Sequence, residues 1–225
     1  MGITKIDREN ALRYMGYREA PDERTTALID KCEERLLKAA VPRCLWRLFD
    51  IEREPNNSGD GLRLSGCGFA LEGKSIREHL EGCSKAAVIV ATLSADIDRF
   101  LKKEALKDKL TGLILDALAS VLVEQTSERG RSEVLEVPDG ISGTWIFAAG
   151  YGDFPLETNR FLIDCVDAGR RIGVSCTDSY MLIPQKTIVG IMGVSEEPVE
   201  KARRGCESCN MKESCQFRKN GLHCN

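Results

Sequence analysis

The sequence predicts an α+β fold, and three features carry that prediction. Residues 86–93 form a continuous apolar run, as in a strand covered on both faces. Residues 110–127 are apolar at helical spacing: Leu113, Ile114, Ala117, Val121 and Gln125 share one wide face with Leu118 and Leu122, as in a central core helix. Helical and extended patterns also alternate with no internal repeat and no linker rich in Pro, Gly or Ser. Residues 1–195 therefore read as a single domain and 196–225 as a cysteine-rich tail.

The elements follow in order. Asp7 is an N-cap for a short helix carrying Ala11, Leu12 and Met15, stopped at Gly16. A second helix starts near Asp22, places Leu28, Ile29, Cys32 and Leu36 on one face, and ends before Pro42. Residues 43–51 read as a strand, 55–61 as a turn, and 62–71 as a glycine-interrupted edge hairpin. Ser75 and Glu78 have capping-box spacing, so a helix should begin there and end near Gly82. After the apolar strand come helices at 95–105 and 110–127, strands at 133–137 and 145–148, a helix at 156–168, and strands at 172–176 and 186–192.

Composition narrows the function classes. The 225 residues are 42% hydrophobic and 30% charged, an ordinary globular balance. A net charge of -3 and a pI near 5.6, with Lys and Arg dispersed, give no basis for nucleic-acid binding. No uncharged apolar stretch is long enough for a membrane span, and the first residues lack a signal-peptide core. A cytoplasmic location is the expectation. Two histidines, neither paired with a nucleophile, disfavour a hydrolase.

The chemistry-bearing pattern runs from Trp145 to Glu157 and on to Pro184. A strand enters Gly150-Tyr151-Gly152, a helix follows, and a short strand leads to Thr177-Asp178-Ser179. Gly150 lets the backbone approach a ligand, and Tyr151 offers an aromatic face and a phenol. Taken alone, the glycine segment is more often a turn than a binding loop, Thr177-Asp178-Ser179 a turn or N-cap, and Glu124 a solvated helix residue.

In this order the segments resemble the activation domain of cobalamin-dependent methionine synthase, in its stand-alone form. Gly150, Tyr151, Thr177, Ser179 and Pro184 match the family pattern; Asp178 replaces a Glu, Met181 stands one place early and Ala149 replaces a proline. The N-terminal helix pair, Gly73-Lys-Ser-Ile, the strand Val88 to Leu93 and Asp116-Ala-Leu-Ala also fall in the right order. The resemblance implies a single C-shaped domain with a twisted, mainly antiparallel sheet and flanking helices. It implies binding of S-adenosylmethionine and reductive methylation of cob(II)alamin, within methionine biosynthesis. The cobalamin would be carried by a partner corrinoid-binding methyltransferase, with a flavodoxin- or ferredoxin-type electron donor. The ligand residues it points to are Glu124, Ala149, Gly150, Tyr151, Thr177, Asp178 and Ser179, which position the ligand, with no acid–base catalyst.

The family arginine falls on Ile146, which cannot make the bidentate contact to a ligand carboxylate. A charge-assisted hydrogen bond contributes roughly 1.5–3 kcal/mol, so its loss predicts binding weaker by about ten- to a hundredfold. A docking or regulatory relative without the ligand is the alternative. The chain itself lacks the Asp-x-His-x-x-Gly cobalamin motif; His79 is expected on a helix surface.

Four of the ten cysteines crowd the tail as Cys206-x2-Cys209-x5-Cys215-x8-Cys224. Soft ligands at this density suit zinc or an iron–sulfur cluster, or else remain reduced thiols in an unstructured tail. A metal-cluster protein on this scaffold is the third functional alternative.

Overall fold

The structure, a computed structural model, describes residues 3–53, 62–137, 142–199, 213 and 216–219. The turn expected at 55–61 and all four tail cysteines lie outside the described residues.

The helices are α1 (Arg8–Tyr14), α2 (Glu23–Ala39), α3 (Lys74–His79), α4 (Ala95–Lys107), α5 (Lys109–Glu136), α6 (Thr158–Cys165), α7 (Ala168–Ile172) and α8 (Gln216–Lys219). The strands are β1 (Arg43–Arg53), β2 (Leu62–Leu64), β3 (Ala70–Leu71), β4 (Lys85–Thr92), β5 (Ser142–Gly143), β6 (Phe147–Ala148), β7 (Ser175–Cys176), β8 (Leu182–Ile183) and β9 (Thr187–Ser195). Among the described residues, one sheet of seven strands has the order β3-β2-β1-β4-β9-β5, with β6 also pairing β9, while β7 and β8 form a separate ladder. The β1–β2, β2–β3, β5–β9, β6–β9 and β7–β8 pairings are antiparallel, giving an α+β architecture with a mainly antiparallel sheet and flanking helices. The expected edge hairpin is present: β3 ends the sheet, with Leu62 opposite Leu71.

The chain divides into two compact units: residues 1–45, 90–130 and 167–188, and residues 46–89, 131–166 and 189–225. In the first, the core gathers Ile29, Cys32 and Leu36 of α2 with Leu93, Ile97 and the buried face of α5. Asp22 caps α2 by accepting from the Thr25 amide at 2.7 Å, and Asp7 caps α1 through Asn10 at 3.1 Å. Helix α5 is long and apolar enough to cross a membrane by length and composition, yet 61% of its most apolar stretch is buried inside the protein. Its apolar face is therefore a core face, with one correction: Leu113 is 56% exposed.

Three expected elements differ. Residues 133–137 continue α5 to Glu136 rather than forming a strand. Ser127, Gly130 and Val134 recur at helical spacing as buried residues, and Arg131 donates to the Thr144 and Gly143 carbonyls at 3.0 and 3.1 Å. The helix at 156–168 is two helices, because Asp167 takes a left-handed conformation at φ 56°. Ile172 ends α7 instead of opening the strand at 172–176.

Candidate functional site

Strand β6 delivers the chain into the Gly150-Tyr151-Gly152 turn of the second unit. The Gly150 amide donates to the Phe154 carbonyl at 2.8 Å, the Tyr151 amide to Ala148 at 3.3 Å and the Phe154 amide to Tyr151 at 3.0 Å. Gly150 has φ +90°, a conformation that strains any L side chain, so the glycine is a requirement of the turn. Ala149 is buried, whereas Tyr151 is 52% exposed. Its ring lies 6.3 Å from Trp145 and 6.2 Å from Phe147, at the rim of an aromatic cluster that also contains Phe154 and His79.

His79 is not on the surface as expected; it is 5% exposed. Its Nε2 lies 3.0 Å from the Trp145 carbonyl. Thr144 Oγ1, 2.7 Å from Nε2, also accepts from the Gly193 amide at 2.8 Å. This network supports the strand that leads into the turn.

Asp153 ties the turn to α3. Its carboxylate accepts from the Lys74 amide at 2.7 Å and the Ser75 amide at 2.8 Å, while its own amide donates to Ser75 Oγ at 3.4 Å. The N-cap residue is Gly73, not Ser75, and no cap side chain closes the helix start. The Ser75–Glu78 capping box therefore does not form, because the aspartate from the glycine turn satisfies the free amides instead. These backbone hydrogen bonds from Ser75 and Lys74 hold the Asp153 carboxyl at about 2. A Cβ at Gly73 would stand 2.8 Å from the Asp153 carbonyl oxygen, so a side chain there would separate the two segments. Sequence reasoning missed Asp153 because its partners lie nearly eighty residues upstream.

Ile146 is 1% exposed and sits so near β9 that a Cβ on Gly190 would meet its Cγ2 at 2.6 Å. Where the resemblance leads one to expect an arginine, the side chain is core.

The remaining predicted residues lie in the first unit. Thr177, Asp178 and Ser179 form one tight turn between β7 and β8. The Met181 amide donates to Thr177 Oγ1 at 3.1 Å, and the Thr177 and Ser179 hydroxyls are 2.9 Å apart. Both hydroxyls thus take part in the turn itself, as a Thr-Asp-Ser turn in isolation suggests. Met181 beside them is exposed, and the Ile183–Pro184 peptide is cis. Glu124 is half-buried on α5 and accepts from the Tyr14 phenol. The structure thus brings Ala149, Gly150 and Tyr151 together in one turn and Thr177, Asp178 and Ser179 in another. No group of three or more potential metal ligands occurs among the described residues.

No protein-family model matches the chain, and neither does any curated protein. Among solved structures, the chain is similar to the MetH reactivation domain bound to AdoHcy: TM-score 0.63, 15% identity, covering 96% of this chain and 82% of that one. The likeness is one of fold. It extends over nearly the whole described architecture, in keeping with the α+β class and mainly antiparallel sheet read from the sequence.

The residues fit part of an S-adenosyl ligand. An exposed ring beside a glycine backbone suits an adenosine. Ile146 does not fit the ligand's carboxylate.

Proposed function

We propose that this chain is an activation module for a cobalamin-dependent methionine synthase or related corrinoid methyltransferase, taking an S-adenosyl ligand at the Gly150–Tyr151 turn. One observation carries the reading. In a fold similar to a reactivation domain that binds AdoHcy, the Gly150–Tyr151 turn presents an open aromatic ring on a locked backbone. When bound, S-adenosylmethionine supplies a sulfonium methyl group for the reduced corrinoid of a partner protein.

This chain's own residues bind and orient. Tyr151 offers its ring to the adenosine, and Gly150 leaves the backbone approachable. Ala149 anchors the turn in the core. A corrinoid-binding methyltransferase and a flavodoxin- or ferredoxin-type donor are the partners, in the cytoplasm. Cys206, Cys209, Cys215 and Cys224 would hold zinc or an iron–sulfur cluster.

Ile146 favours a second reading, a docking or regulatory relative that kept the fold without the ligand. Calorimetric titration with S-adenosylmethionine and S-adenosylhomocysteine separates the two. Heat that saturates at millimolar ligand and vanishes in Tyr151→Ala supports the first, and no heat with either ligand leaves the second.

A further inference from the structure

The second unit contains an open cavity of about 360 Å³, lined in part by Arg47, Phe49, Cys67, Phe69, Phe161 and Cys165. Two segments distant in sequence meet there. Phe69 and Phe161 stack with ring centroids 5.0 Å apart and planes 19° apart. Cys67 lies two residues before Phe69, and Cys165 lies one helical turn after Phe161 on α6, so the stacked rings bring the cysteines to one place. Both cysteines line the same cavity, and Cys165 Sγ donates to the Leu162 carbonyl at 3.3 Å. Arg47, its guanidinium 5.0 Å above the Phe49 ring, donates to the Cys165 carbonyl at 3.4 Å. Both cysteines are free and half-buried at the cavity wall.

We propose that Cys67 and Cys165 form a redox pair whose co-substrate is a small-molecule disulfide, and that oxidation joins them in an intramolecular bond. The Cys67 thiolate attacks one sulfur of R–S–S–R, forming a mixed disulfide and releasing one RS⁻. The Cys165 thiolate then attacks the Cys67 sulfur, forming the Cys67–Cys165 bond and releasing the second RS⁻. The protein loses two electrons and two protons, and the small disulfide leaves as two thiols. Cys67 is the attacking residue. Burial and the Glu52 charge raise its thiol, while the neighbouring Cys165 and the Arg47 charge act in the opposite direction. Cys165 is raised by burial and then by Cys67, and it serves as the resolving thiol. Both thiols are scarce as thiolates at neutral pH, so exchange is slow there and accelerates by about tenfold per pH unit.

The test incubates the whole chain with oxidised glutathione between pH 7 and 9, alkylates remaining thiols with N-ethylmaleimide and maps peptides without reduction. The expected product is a peptide pair joined through Cys67 and Cys165, forming faster as pH rises. Cys165→Ser should leave glutathione trapped on Cys67. Full alkylation of both cysteines after oxidation, Cys67 bridged to another cysteine such as Cys44, or a lasting glutathione adduct in the unsubstituted chain overturns the proposal. The mapping uses the natural sequence, so the readout survives if a variant misfolds.

Discussion

A single side chain, Ile146, separates fold from ligand in this protein. Its position in the motif suggests a binding site, but its burial against Gly190 assigns it to packing. Placing an arginine at this position should therefore fail. In Ile146→Arg, a guanidinium would have to enter an apolar site beside β9, and an uncompensated buried charge costs about 3–5 kcal/mol. The expected outcome is a lower urea midpoint with no gain in S-adenosylmethionine affinity. A wild-type midpoint with tighter binding would show that the side chain can turn to the ligand. Asp153 makes a second prediction at this scale. Hydrogen bonds from the Ser75 and Lys74 amides lower its carboxyl from 3.8 to about 2 in the folded protein. A folded value below the unfolded one means the ionised group stabilises above about pH 4, and that contribution is lost as pH falls towards 2. Acid titration of stability should show this limb in the natural chain. Asp153→Asn should flatten it, and an unchanged limb would assign acid sensitivity to other carboxylates.

Elements were legible where local signals and tertiary partners agreed. Asp7 and Asp22 cap the helices they precede, and the apolar run at 86–93 is a buried strand. Reading failed where a remote partner decided the outcome. Ser75 and Glu78 have capping-box spacing, yet a carboxylate from the glycine turn takes the amides first. Residues 133–137 include two β-branched valines and read as a strand, yet Arg131 and Glu133 engage Thr144 and Trp46 from a helix. His79 lacked a recognisable setting because its partners, Thr144 and Trp145, lie some 65 residues away. Thr144 is the joint of this arrangement. Its hydroxyl accepts from the Gly193 amide of β9, bonds with His79 beneath the aromatic cluster and donates to Trp145 at 3.2 Å. Thr144→Val keeps the shape but strands the Gly193 amide, for which a cost of about 1–3 kcal/mol is expected. Chemical denaturation measures it. A loss under about 0.5 kcal/mol, within the range of ordinary surface substitutions, would mean that the amide finds another partner.

For the whole molecule, the sequence conveyed the fold class through its order of segments, because similar architecture persists at 15% identity to the reactivation domain. The candidate site was less legible: the Gly150 turn could be placed, but not the hydrogen bonds that lock it. Ser142 of β5 donates to the Glu197 carbonyl at 2.7 Å and accepts from the Val199 amide at 3.2 Å, so the last segment of the body is fastened to the sheet edge before the tail cysteines begin. This closure predicts that tail chemistry and body stability separate. On the proposed tail site, the natural chain should carry zinc or iron by elemental analysis, and a chain with Cys206, Cys209, Cys215 and Cys224 all changed to serine should carry none and show no iron–sulfur absorbance. Its unfolding free energy from urea denaturation should change by no more than about 0.5 kcal/mol, as for substitutions remote from a core. S-adenosylmethionine titration should give the same affinity in both proteins if ligand and metal occupy separate sites. Metal retained by the serine variant would remove the tail as the metal site. A stability loss of several kcal/mol would instead make a bound metal part of the folded body, because binding to a structural site contributes directly to folding.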